Sequence, residues 1–177
     1  MNAYLYQYLV ATPIMVLQAV LVIIIFLMII GKDTIIKHHF QKYGMVYGII
    51  VALAAIVGSL GFSEGFAYPP CKLCWIQRIF HYPQLFLFAI AMYYKDTRVW
   101  TYSLWLSVVG VIVAGYQVLI QFNPTLAASS FCSIVPAAES CSDVLILAYG
   151  YISIPVMSLT LFVALIVLYI LQKKKEA

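Results

Sequence analysis

The residues best suited to chemistry in this chain of 177 residues are its four cysteines, which fall into two pairs. Cys71 and Cys74 form a Cys-x-x-Cys motif, and Cys132 and Cys141 lie close together further along the chain. Paired cysteines can form a disulfide, exchange it with other thiols, or bind a metal ion as thiolates. The sequence alone does not decide which cysteine pairs with which.

The Cys-x-x-Cys motif is better suited to redox chemistry than to stabilisation. A disulfide that closes so short a ring constrains the unfolded chain very little, so it adds little stability. Pro69-Pro70 fixes an extended approach to the motif, and a helix is predicted to begin beside it. The partial positive charge at a helix N-terminus favours a thiolate at Cys74. For the second pair, a purely structural disulfide is a serious alternative.

Polar residues continue along the predicted helix after the motif. Cys74, Arg78 and Tyr82 are each four residues apart and share one helix face, with Gln77 and His81 beside them. Arg78 is predicted to lie about one turn into a membrane span. A charge there normally faces a partner or a polar cavity, although the side chain could also extend to the membrane surface. For His81, a hydrogen bond to another helix is the default expectation.

The composition shows what kind of elements must position these residues. Apolar residues make up 65% of the chain and charged residues 9%, whereas a globular protein has about 45–50% and about 25%. Such a chain cannot form a water-soluble surface, so we predict an all-α integral membrane protein. The net charge of +4 is too small and too dispersed to indicate nucleic-acid binding.

Five apolar stretches are long enough, or nearly so, to cross a bilayer as helices. They cover residues 14–30, 43–62, 73–94, 99–122 and 151–171. The first stretch lacks a basic leading segment and a small-residue cleavage site, so we predict a retained helix rather than a signal peptide.

Basic residues predict the orientation of these spans. Eight of the ten lie in the connections or the tail on one side: Lys32, Lys37, Lys42, Lys95, Arg98, Lys173, Lys174 and Lys175. Since basic residues collect in cytoplasmic loops, the C-terminus is predicted to be cytoplasmic and the N-terminus outside. Both cysteine pairs then face the oxidising side, where disulfides persist.

A metal site is another reading of the same cysteines. Four thiolates could bind zinc. A site on the outer side would compete with oxidation, however, and neither predicted outer loop contains a histidine. We therefore predict no metal.

The run CKLCWIQRI at 71–79, followed by Tyr82-Pro83, is more specific than the Cys-x-x-Cys alone. It resembles the signature of the DsbB/BdbC family of membrane disulfide bond formation proteins, and most closely the Gram-positive BdbC type. The resemblance extends over roughly residues 43–171, and includes Tyr116, Gln121, the second cysteine pair and Ile154-Pro155.

This resemblance implies a four-helix transmembrane bundle over 43–177, preceded by an additional N-terminal transmembrane helix and cytoplasmic connection over 1–42. It also implies an enzyme of the bacterial plasma membrane that binds a quinone, menaquinone or ubiquinone, beside the Cys-x-x-Cys. An extracytoplasmic thioredoxin-like partner of the DsbA/BdbD type would pass electrons to the Cys132–Cys141 pair, with Cys132 attacked first. The electrons would continue to Cys71–Cys74 and then to the membrane quinone pool.

The predicted site follows from this resemblance and from the residues themselves. The predicted catalytic residues are Cys71, Cys74, Cys132 and Cys141. The predicted quinone contacts are Arg78, Gln77, His81 and Gln117. Gln117 stands where the family often has a histidine, so that contact differs from the family pattern.

Two alternative functions remain at the level of sequence. A vitamin K epoxide reductase has a similar bundle and runs a comparable relay towards reduction, but its loop cysteines precede the Cys-x-x-Cys. Here they follow it, which favours the DsbB type. The other alternative is a non-enzymatic membrane protein with structural or metal-binding cysteines.

Overall fold

Five long helices make up most of the part of the chain that the structure describes. This is a computed structural model, and it describes residues 3–31, 34–123, 125, 144 and 146–173. The helices are α1 (Ala3–Ile30), α2 (Thr34–Leu60), α3 (Lys72–Tyr94), α4 (Val99–Phe122) and α5 (Ile154–Gln172). A turn of π-helix, Gly61–Gly65, extends α2. The all-α prediction is confirmed, although α1 and α2 begin earlier than the apolar stretches that predicted them.

Four of these helices are long and apolar enough to cross a membrane, namely those over 4–30, 37–65, 99–122 and 154–172. The multi-pass membrane protein expected from the composition therefore has the helices it needs. Helix α3 is less apolar because it carries Gln77, Arg78, His81 and Gln84, and all four are buried. Its polar side chains thus face neighbouring helices rather than lipid.

Helices α2 to α5 form a four-helix bundle. Helix α3 packs against both α2 and α4, and α5 packs against both α4 and α2. Close contact between α4 and α5 depends on Gly110, since a Cβ there would lie 2.3 Å from the ring of Phe162. Phe162 is fully buried and in turn supports the polar side of α3.

Helix α1 lies at the edge of this bundle and is held there by polar contacts as well as apolar packing. Gln18 donates from Nε2 to Thr160 Oγ1 of α5 at 2.8 Å and accepts a hydrogen bond from the Tyr151 hydroxyl at 2.9 Å. The Thr12 and Tyr149 hydroxyls are 2.8 Å apart. Because hydrogen bonds have a defined geometry, these contacts fix the register of α1 against α5.

Candidate active site

The Cys-x-x-Cys motif begins helix α3. Cys71 is the N-cap residue, with an extended backbone, and its sulfur accepts a hydrogen bond from the backbone amide of Cys74 at 3.4 Å. Both cysteines are free thiols, and Cys71 Sγ donates to Cys74 Sγ at 3.0 Å. The two sulfur atoms are therefore close enough to form a disulfide with little movement of the chain.

The two sulfurs differ in how readily they ionise. The pKa of the Cys71 thiol is raised well above its ordinary value, because the thiol donates a hydrogen bond to Cys74 and because it is buried. Cys74 accepts that hydrogen bond and stands in the first turn of α3, where the helix dipole favours an anion. Cys74 is therefore the better thiolate of the pair, as its position in the sequence predicts.

Gln117 of α4 connects the cysteine pair to Gln77. Its amide nitrogen lies 3.2 Å from Cys71 Sγ and 3.5 Å from Cys74 Sγ, and donates to both. Its amide oxygen accepts from Gln77 Nε2 at 2.6 Å, and both glutamines are buried. The roles of Gln77 and Gln117 as quinone contacts stay predictions. Their described hydrogen bonds are with each other and with the sulfur atoms.

Arg78 is buried one turn beyond Cys74 and is held by α2. Its Nε donates to Ser59 Oγ at 2.8 Å, and its Nη2 donates to the Ser59 backbone oxygen at 3.0 Å. Its guanidinium also lies 5.1 Å from the ring centroid of Trp75. The side chain is only 7% exposed, so the alternative that it extends to the membrane surface is wrong.

His81 and Tyr82 present buried polar atoms that have no hydrogen-bond partner in the part of the chain that the structure describes. His81 Nε2 lies 3.2 Å from Ser158 Oγ of α5, which fits the expected hydrogen bond to another helix. Its ring stacks on Phe162 with centroids 3.6 Å apart. Within the described residues, neither His81 Nδ1 nor the Tyr82 hydroxyl has a hydrogen-bond partner. Buried polar atoms are almost always hydrogen-bonded, so these two indicate a water or a ligand beside them.

A cavity of about 280 Å³ lies on this side of α3, between α1, α2, α3 and α5. Its walls are mostly apolar. Most of the polar side chains that line it belong to α3, namely Cys74, Gln77, Arg78, His81 and Tyr82, and the other helices add the hydroxyl groups of Tyr6, Ser59 and Ser158. This is the composition of a binding site for a mainly apolar ligand with a few polar atoms.

A smaller cavity of about 170 Å³ lies beside the beginning of α3. It is lined by Pro69 and Pro70, by Cys71 and by Gln117 among others. Cys74 and Arg78 line both cavities, whereas Cys71 lines the smaller one. The cysteine pair therefore stands at the junction of the two cavities, with Cys74 lining both and Cys71 lining the smaller one.

The rest of the site concerns two predictions, the second cysteine pair and the metal, and one residue that was not predicted, Ser59. Cys132 and Cys141 lie outside the described residues. Within the described residues, no group of three or more histidine, cysteine or carboxylate side chains could hold a metal ion. Ser59 was not among the predicted site residues, and its contact with Arg78 was not predicted. Its only signal was a hydroxyl in an apolar stretch, which is weak.

Comparisons with known proteins point to one family. A family profile described as "Disulfide bond formation protein DsbB" matches residues 41–172. The chain is 38% identical over 137 residues to the probable disulfide formation protein C 2 of Bacillus anthracis, which covers 77% of this chain and 95% of that protein. It is 37% identical over 130 residues to the disulfide bond formation protein C of Bacillus subtilis strain 168, covering 72% and 91%. No solved structure matches the chain significantly.

Proposed function

Because the chain belongs to the DsbB family of disulfide bond formation proteins, we propose that it reoxidises an extracytoplasmic thioredoxin-like protein of the DsbA/BdbD type and passes the electrons to a membrane quinone. The observation that carries the proposal is the position of Cys74 between two cavities. One cavity also contains Cys71 and serves thiol exchange. The other is apolar and serves the electron acceptor.

The larger cavity has residues that fit a quinone. A quinone ring is flat and apolar and carries two carbonyl oxygens, which only accept hydrogen bonds. The Tyr82 hydroxyl and, in the neutral tautomer that carries its hydrogen on Nδ1, the His81 ring are buried donors without a partner in the described residues, and Arg78 adds a positive charge nearby. When bound, a quinone would take up two electrons and two protons, which is the chemistry that oxidation of a dithiol needs.

The cysteine pair performs the exchange step in the oxidised state, when Cys71 and Cys74 are joined. A thiolate from the Cys132–Cys141 pair attacks Cys71, because attack there releases Cys74, the better thiolate of the pair, as the leaving group. The Cys71–Cys74 bond breaks, a mixed disulfide forms at Cys71, and Cys74 leaves as a thiolate. The second thiol of the loop pair then attacks the mixed disulfide, re-forms Cys132–Cys141 and releases Cys71.

The surrounding residues stabilise the thiolate left on Cys74. It accepts hydrogen bonds from the Cys71 thiol and the Gln117 amide, and it lies at a helix N-terminus one turn from Arg78. When the pair is oxidised again, a Cys71 thiol and a Cys74 thiolate lose two electrons and one proton as their disulfide forms. Solvent provides the second proton that a quinone needs.

The function is tested with the purified chain, a reduced thioredoxin-like partner and a short-chain quinone. We expect stoichiometric loss of partner thiols and of quinone, measured by thiol titration and by quinone absorbance. Reactions without the partner or without the chain serve as controls. If neither a naphthoquinone nor a benzoquinone is reduced while the chain remains folded, the proposal is wrong.

The orientation belongs to the same proposal, with both cysteine pairs on the outer side of the bacterial plasma membrane. It is supported by the excess of lysine and arginine in the loops assigned to the cytoplasm. We expect a membrane-impermeant thiol reagent to label reduced Cys132 and Cys141 in intact cells, as measured by a mass shift. A cysteine placed at Lys95 provides the control, because it should be labelled only after lysis. The opposite pattern would reverse the orientation.

A further inference from the structure

We infer that the N-terminal helix α1 forms part of the acceptor site and determines how tightly the acceptor binds. This inference rests on the proposed function of the larger cavity. Helix α1 covers Ala3–Ile30, whereas the family match covers residues 41–172. The wall that α1 provides is therefore a feature of this chain beyond the part it shares with the family profile.

One face of α1 lines the cavity. The residues are Tyr6, Leu9, Val10, Pro13 and Ile14, and their spacing of three and four residues places them on the same side of a helix. They lie across the cavity from the polar residues of α3. A ligand between the two helices would direct its polar atoms towards α3 and its apolar surface towards α1.

The α1 wall is held in place from more than one direction. The Tyr6 hydroxyl donates to the Val57 backbone oxygen of α2 at 3.2 Å, and the Tyr6 ring packs edge-on against Phe62. Further along, Gln18 bonds to Thr160 of α5. Helix α1 therefore contacts both helices that flank the cavity, and it encloses a space that would otherwise face lipid.

The enclosure has a chemical consequence. An apolar wall adds buried contact area for the acceptor, which strengthens binding. The reduced partner reacts with the Cys132–Cys141 pair, and that pair reaches Cys71 through the other cavity, whose described lining includes no residue of α1. Changing the α1 wall should therefore alter the affinity for the acceptor without altering the affinity for the partner.

The test compares two valine-to-tryptophan variants of α1 in the full-length chain. Val10 lines the cavity, whereas Val16 is 56% exposed and does not. The probe is menadione, a naphthoquinone without an isoprenoid tail. Its Kd is measured by equilibrium dialysis with oxidised protein, and its KM is measured with reduced partner present. The KM for the partner is measured as well.

We expect Val10→Trp to raise the Kd and KM for menadione by roughly tenfold, because the indole ring occupies part of the cavity and displaces apolar contacts of the ligand worth about two methylene groups. The KM for the partner should not change, and Val16→Trp should leave all three constants unchanged. Val10→Ala should raise the Kd for menadione by a smaller factor. If Val10→Trp does not fold, the Kd of Val10→Ala tests the inference in its place.

A failure of the inference about α1 can be distinguished from a failure of the proposed function. If the unmodified chain binds and reduces menadione but Val10→Trp, or Val10→Ala in its place, has the same Kd as the unmodified chain, the inference about α1 is wrong and the proposed function stands. If the unmodified chain neither binds nor reduces any quinone, the proposed function is wrong and the inference about α1 falls with it.

Discussion

Replacing either Cys71 or Cys74 with serine should reduce quinone reduction to the uncatalysed background, the largest effect we expect from any single substitution. Each sulfur is half of the disulfide that receives electrons from the second cysteine pair, so neither variant can complete a cycle. Because serine is similar in size and can still donate a hydrogen bond, the fold should be retained. The rate of quinone reduction is measured per folded protein, as determined by size-exclusion chromatography.

The two variants should differ in the reactivity of the cysteine that remains. With Cys132 and Cys141 replaced by alanine, Cys74 in Cys71→Ser should react with iodoacetamide at pH 7 roughly tenfold faster than Cys71 in Cys74→Ser. The reason is that alkylation requires a thiolate. Cys74 keeps the helix N-terminus beside it in Cys71→Ser, whereas burial still raises the pKa of the Cys71 thiol in Cys74→Ser. Faster alkylation of Cys71 would reverse the roles that we assign to the two sulfurs.

Arg78→Ala should raise the apparent KM for the quinone by roughly 10- to 150-fold. A hydrogen bond to a charged group is worth about 1.5–3 kcal/mol, which corresponds to that factor. Arg78 lines both cavities and is buried, so its charge acts on Cys74 and on the acceptor with little screening by water. Arg78→Lys should restore only part of the loss, because lysine lacks the planar fork that holds Ser59.

The chain provides a matched control for this experiment in its other arginine. Arg98 is exposed before α4, so Arg98→Ala should leave the quinone KM unchanged. Ser59→Ala removes one of the two atoms that hold the guanidinium and should have a smaller effect in the same direction as Arg78→Ala. Unchanged KM and rate in Arg78→Ala would mean that Arg78 has only a structural role and that the acceptor binds elsewhere.

The helices were predictable from sequence because long apolar runs cannot be accommodated in any other way in lipid. The start of α3 was predictable to within a residue, since Pro69-Pro70 keeps the chain extended before the motif and the helix begins at Lys72. Burial of Arg78 was left open, because a residue one turn into a membrane span can either face inwards or reach the surface. Its contact with Ser59, a residue on another helix, shows that the Arg78 side chain faces inwards.

The larger cavity and the α1 wall that encloses it were not predictable from the sequence in this way. They depend on which face of α1 meets α2 and α5, and hydropathy gives no such information for a helix that is apolar on all sides. Similarly, Gln117 has no sequence signal that places its amide against two sulfur atoms. The structure supplies that contact through the packing of α3 on α4.

The low hydropathy of α3 has a consequence for the synthesis of the protein. An arginine costs up to about 2.5–3.5 kcal/mol in an inserted helix, the value at the helix centre, and Gln77, His81 and Gln84 add to the cost of inserting α3. Arg78 finds Ser59 on α2, which the ribosome makes first. The hydrogen-bond partners of Gln77 and Gln84 are on α4, and that of His81 is on α5. Both of these helices are synthesised after α3. We therefore expect α3 to stay beside the insertion machinery until the later helices emerge, and to leave it with them as one unit.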